Sequence, residues 1–99
     1  MRVVALGPGS FITAFKLAGI EGVEAPSAGD ALKAVRQLSR NRDVSLILLN
    51  DEYSRELGEE LTEIKAAQAI PLIYSVPSPG AKKLEKIEYR ELLKRILGF

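Results

Sequence analysis

Val44-Ser45-Leu46-Ile47-Leu48-Leu49 runs directly into Asn50-Asp51. Five of the first six side chains are apolar, and no polar residue alternates with them. A run of this kind reads as a strand buried on both faces, which requires a sheet with helices packed on each side. Arg2-Val3-Val4-Ala5-Leu6 has the same character and ends at Gly7-Pro8-Gly9. Pro71-Leu72-Ile73-Tyr74-Ser75-Val76 reads as the fourth strand, ended by Pro77-Ser78-Pro79-Gly80. Gly22-Val23-Glu24-Ala25-Pro26 is shorter and carries a proline, so it belongs at a sheet edge, whereas 44–49 belongs at the centre.

Helical spacing fills the intervals. Phe11, Phe15 and Ala18 recur at helix period between Ser10, read as an N-cap, and Gly19, a natural stop. Ser27 with Asp30 resembles a capping box and opens a second helix to about Arg40. Ala31, Val35 and Leu38 form its buried stripe, and Lys33, Arg36 and Arg40 point outward. Asn50 or Asp51 caps a third helix with Tyr53, Leu57, Leu61 and Ile64 on one side, and Gly58 predicts a break within it. The last helix is expected over about 84–97. Four strand–helix units in succession predict a parallel, doubly wound α/β sheet of four strands, Rossmann-like or receiver-like, with helices on both faces. Ninety-nine residues suffice for one such domain, taken as 1–99.

Composition narrows the function. Fourteen basic residues against 13 acidic ones leave a net charge of +1, so no nucleic-acid partner is expected. Cys and His are both absent. That removes thiol nucleophiles, disulfides, most zinc sites and the commonest general base. No nucleophile–base pair, carboxylate pair or metal-ligand cluster emerges, so no catalytic residue, metal or cofactor is expected. No apolar run approaches the roughly 20 residues that span a bilayer. The chain is therefore expected to be cytoplasmic, with any membrane connection made through a partner.

Two segments invite a ligand. Gly7-Pro8-Gly9-Ser10-Phe11-Ile12 has the strand–turn–helix context of a dinucleotide-binding turn, but Ile12 stands where the third glycine belongs and Pro8 removes an N–H. Its plain reading is a tight turn. Asp51 follows the third strand as a receiver's phosphoacceptor does. A receiver also needs an acidic pair after the first strand to hold Mg²⁺, and Gly7 and Pro8 occupy that place. The plain reading is a helix cap, made by Asp51 or Asn50. Tyr53, Tyr74 and Tyr89 have the ordinary reading of core-edge residues, with Tyr89 set apart by its helix. That last helix carries Ile87, Leu92, Leu93, Ile96, Leu97 and Phe99 among six basic and three acidic residues between 82 and 95. This apolar surface is broader than one stripe, which fits a docked partner as well as simple core packing.

Ala14-Phe15-Lys16-Leu17-Ala18-Gly19-Ile20 resembles the G-F-[RK]-L-A-G-[IV] segment of the F subunits of V/A-type rotary ATPases. Val44 to Glu52 is similar to that family's third strand and acidic helix start, and 71–78 to its P-x-I-x-x-I-P-S segment. Residues 90–99 are similar to its amphipathic C-terminal helix ending in a glycine. Ala14 departs from the family's usual Gly, and the acidic residue often found after the first strand is missing. The resemblance implies a non-catalytic rotor part of the central stalk. Such a part binds the coiled-coil D subunit among other ATPase subunits and couples ATP synthesis or hydrolysis to proton or sodium transport. It implies no small-molecule ligand and no membrane insertion of its own. Tyr89, Leu92, Leu93, Ile96 and Leu97 are the residues expected at the contact with the D subunit. A receiver-like or nucleotide-binding signalling module stays open as the other reading, because this architecture hosts both.

Overall fold

The two strands with the most buried apolar runs lie side by side in the middle of the sheet. A computed structural model of the chain describes residues 2–78 and 94–95. The elements follow in the order β1 (Arg2–Gly7), α1 (Gly9–Leu17), β2 (Glu21–Glu24), α2 (Ala28–Ser39), β3 (Val44–Asn50), α3 (Asp51–Glu56), α4 (Gly58–Ala67) and β4 (Leu72–Val76). All neighbouring strands are parallel, in the order β2-β1-β3-β4.

Side-chain alternation divides the core in two. Val4, Leu6, Ile47, Leu49 and Ile73 face Ala31 and Val35 of α2, together with Leu57 and Leu61. Ala5, Leu48 and Val76 face the opposite way, against Phe11, Ile12 and Phe15 of α1. Leu6, Leu48 and Leu49 expose no surface at all. Burial of each such side chain contributes roughly 1.5–3 kcal/mol, which makes β1 and β3 the stable centre. Helices therefore cover both faces, with α1 on one and α2, α3 and α4 on the other.

Local chemistry sets the element ends. α1 closes on Gly19 at φ 84°. The Gly19 and Ile20 amides donate to the carbonyls of Lys16 and Phe15 at 3.0 and 2.9 Å, and only glycine adopts that backbone without strain. Ser27 accepts from the Asp30 amide at 3.2 Å and donates to the Asp30 carboxylate at 3.0 Å. Asp30 is a methylene shorter than the Glu of a full capping box, and it engages the Ser27 hydroxyl. Leu57 is buried and ends α3 while its carbonyl receives the Leu61 amide at 2.8 Å to begin α4. The predicted break at Gly58 is thus a junction between two helices. Pro71 and Pro77 bracket β4, the edge strand.

Several boundaries differ from expectation. Ser10 is not the cap of α1. Pro8 takes that position at φ −65° and ψ 162°, its carbonyl receiving the amides of Phe11 and Ile12, and Ser10 lies exposed in the first turn. Proline's fixed φ suits the cap, and Gly9 follows as the first helical residue. β2 spans Glu21–Glu24 rather than 22–26, because Val4 pairs with Glu21 and Pro26 has no N–H to extend the ladder. β4 begins one residue late, at Leu72, after Pro71. The Arg2 guanidinium grips Glu21 with two hydrogen bonds at 3.1 and 2.7 Å, which holds the Glu21 carboxyl below the usual carboxylate range. Both groups are exposed, so the pair contributes little stability.

Gly7 is where a substitution would be felt most. A Cβ there would lie 2.7 Å from Phe11 Cδ2 and 3.0 Å from Asn50 Cβ, both in the core. Gly7→Ala is expected to cost about 1–3 kcal/mol, lowering Tm by about 4–8 °C per kcal/mol. Gly9→Ala meets only ordinary contacts at 3.5–3.6 Å and should leave Tm unchanged or slightly higher. Thermal unfolding of the two variants side by side checks both.

Candidate functional site

In a doubly wound sheet, ligands bind at the carboxyl ends of the strands where the chain turns to opposite faces. Here that point lies between β1 and β3, whose following helices, α1 and α3, pack on opposite sides. Its floor would be Gly7, Pro8, Asn50 and Asp51. The floor is filled. Phe11 is fully buried, and its ring edge closes against Gly7. Asn50, 1% exposed, closes the other side.

Asn50 is a buried polar residue in an apolar core, and both ends of its amide are engaged. Its Oδ1 accepts from the amides of Glu52 and Tyr53 at 3.1 and 3.4 Å, capping α3. Its Nδ2 donates to Ser78 Oγ at 2.6 Å, which ties the exit of β4 to the end of β3. Asp51 is the first residue of α3, beyond the cap, and not the last residue of the strand. Of the two capping candidates in the sequence, Asn50 is the cap.

The turn before α1 is equally unsuited to a phosphate. The carboxylate of Glu24 stands within 3.6 Å of where a Gly9 side chain would begin, which puts a negative charge beside the first turn of the helix. Among the described residues, no three acidic side chains converge as a metal ion requires. The crevice that would serve a receiver or a nucleotide-binding protein is built as packing.

Residues 3–95 match the family model described as ATP synthase (F/14-kDa) subunit. The chain belongs to this family. The F subunit of the A-type ATP synthase of Methanococcus aeolicus is 27% identical over 100 residues, covering 99% of this chain and 96% of that one. The F subunit from Thermococcus kodakarensis is 27% identical over 103 residues, covering 99% and 95%. That of Archaeoglobus fulgidus is 26% identical over 98 residues, covering 98% and 93%. The segment 14–20, which bears the family resemblance, lies on α1 and its closing turn. Phe15 is its buried anchor, Gly19 its left-handed stop, and Leu17 is 85% exposed.

Tyr89, Leu92, Leu93, Ile96 and Leu97 lie outside the described residues. From that region the structure describes Lys94 and Arg95, both helical and both exposed. What it adds for this member of the family is on β4. Leu72 and Tyr74 point to the same face as α1, beside Leu46 and Leu48 in register, and are 65% and 52% exposed. α1 covers the β1 and β2 half of that face and leaves the β4 half uncovered among the described residues. Sequence reasoning misses this, because an apolar strand looks the same whether or not a helix lies over it. In the sequence Leu72, Ile73 and Tyr74 are all apolar or aromatic, and only the structure separates buried Ile73 from its exposed neighbours. Among the described residues no helix is long and apolar enough to cross a membrane.

Tyr53 is the structural tyrosine. Its hydroxyl donates to the Ala25 carbonyl at 2.7 Å, joining α3 to the turn after β2. Burial first, and then the charges of Glu56, Glu52, Asp30 and Glu24, raise its pKa above the usual tyrosine value. The neutral form is favoured in the folded state. Its contribution is therefore complete below about pH 10 and lost as pH rises through the higher folded pKa. Alkaline unfolding followed by tyrosine absorbance should show this loss, and Tyr53→Phe should remove that component. Asn50→Ala deletes the cap and the Ser78 bond together and is expected to cost about 1–3 kcal/mol in urea denaturation.

Proposed function

We propose that this chain is a non-catalytic rotor part in the central stalk of a V/A-type rotary ATPase. In this reading it binds the coiled-coil D subunit and is turned with it, coupling ATP synthesis or hydrolysis to proton or sodium transport. It would work in the cytoplasm and meet the membrane only through the rest of the complex. The family match across residues 3–95 carries the reading. The packed switch-point crevice supports it, since a body that only transmits force has no need of a ligand there.

A rotor part needs a stiff body and an adhesive element. The stiffness comes from β1 and β3, locked between two helical layers. Adhesion is assigned to the last helix, through Tyr89, Leu92, Leu93, Ile96 and Leu97, flanked by Lys and Arg that orient the contact.

Purified D subunit retained on beads provides the test. Wild-type chain should bind, and Leu93→Asp and Ile96→Asp should each weaken binding about 30-fold or more, the effect of losing roughly 2 kcal/mol at an interface hot spot. Circular dichroism of the same samples must match wild type. Folded variants that bind the D subunit unimpaired would remove the last helix from the contact. Incubation with Mg²⁺ and acetyl phosphate should leave Asp51 unlabelled, whereas labelling would favour a receiver.

A further inference from the structure

Between the C-terminal ends of α2 and α4 lies a recess of about 200 Å³ lined by Arg36, Ser39, Arg40, Ile64, Ala67 and Gln68. At about 30 Å³ per liquid water, it has room for several waters or one short side chain. Its upper wall is cationic. Arg36 and Arg40 are four residues apart, so they share one side of the helix, and both are exposed. From Lys33 to Arg42 the chain carries four basic residues and no acidic one.

Among the described residues these charges have no carboxylate paired with them. Among the described residues the one ion pair is Arg2 with Glu21, and neither Arg36 nor Arg40 pairs with Glu60 or Glu63 of α4. A single cation in the last turn of α2 would complement the helix dipole. Two guanidiniums at the rim of a recess exceed that need. Ser39 also lines the recess, although its hydroxyl is shut off from solvent. Thr13 and Thr62 each donate to the carbonyl four residues back, at 2.8 Å, whereas the buried Ser39 hydroxyl has no partner. The opposite wall, Ile64 and Ala67, is apolar and suits a methylene stem.

We propose that this recess receives the carboxylate of an Asp or Glu side chain on a neighbouring protein of the assembly. Two planar forks of N–H donors match a carboxylate better than they match any other common side chain. The inference rests on the reading of the chain as a stalk component, and names a second contact well separated in sequence from the last helix.

The test uses rotary ATPase complex stripped of this chain and re-bound with it at full length. Arg36→Glu/Arg40→Glu should weaken re-binding about tenfold or more at low salt. The difference should narrow at about 0.3 M NaCl, where charge is screened. Arg36→Lys/Arg40→Lys keeps the charge but loses the forks, and should fall between. Re-binding of the Glu variant within twofold of wild type, with unchanged circular dichroism, overturns the inference. Acetate and inorganic phosphate titrated into the isolated chain, read at the arginine Nε resonances, form a second arm. Weak, saturable acetate shifts confined to Arg36 and Arg40 support carboxylate recognition, and their absence overturns it. Phosphate binding tighter than about 1 mM with unimpaired assembly assigns the recess to a free anion, which also overturns it. Should wild type itself fail to re-bind, the stalk reading falls, and the acetate arm alone decides what the recess receives.

Discussion

Leu48 and its neighbours in β3 can be dry only if something covers the sheet on both sides. That requirement governs the molecule. It forces parallel strands, because helical crossovers are the means of covering two faces in one short chain. It places α1 opposite α2, α3 and α4. It also leaves the polar backbone at the strand ends as the one place where chemistry could be installed.

In this chain that place is filled by packing. The crevice between β1 and β3 is closed by Phe11 against Gly7 and by an asparagine whose amide is held by the Glu52 and Tyr53 amides and by Ser78. Glu24 brings a negative charge to the turn where a phosphate would need a positive one. A familiar ligand-binding architecture has become a solid block. Among the described residues, what this surface offers is charge and exposed apolar area.

Much of the architecture is legible in the residues. Uninterrupted apolar runs mark β1 and β3, Gly58 marks the junction of α3 and α4, and Ser27 begins α2 as its type predicts. Ser10 misleads, because a preferred capping side chain loses to the fixed geometry of Pro8 two residues earlier. The bounds of β2 are not legible, because pairing with β1, a non-local matter, chooses its register. The candidate surfaces are harder still to read. Exposure of Leu72 and Tyr74 depends on which helix lies over β4, and the recess at Arg36 and Arg40 depends on α2 and α4 ending side by side. Neither juxtaposition is written in local sequence.

The proline on either side of β4 has a consequence for life in a crowded complex. A bare sheet margin is an invitation to further strands, and through them to fibres. With no amide hydrogen at residue 71 or 77, a visiting segment finds a strand of only five residues, of which alternate ones turn their backbone groups to that edge. Among the described residues that margin is therefore a poor template for runaway polymerisation.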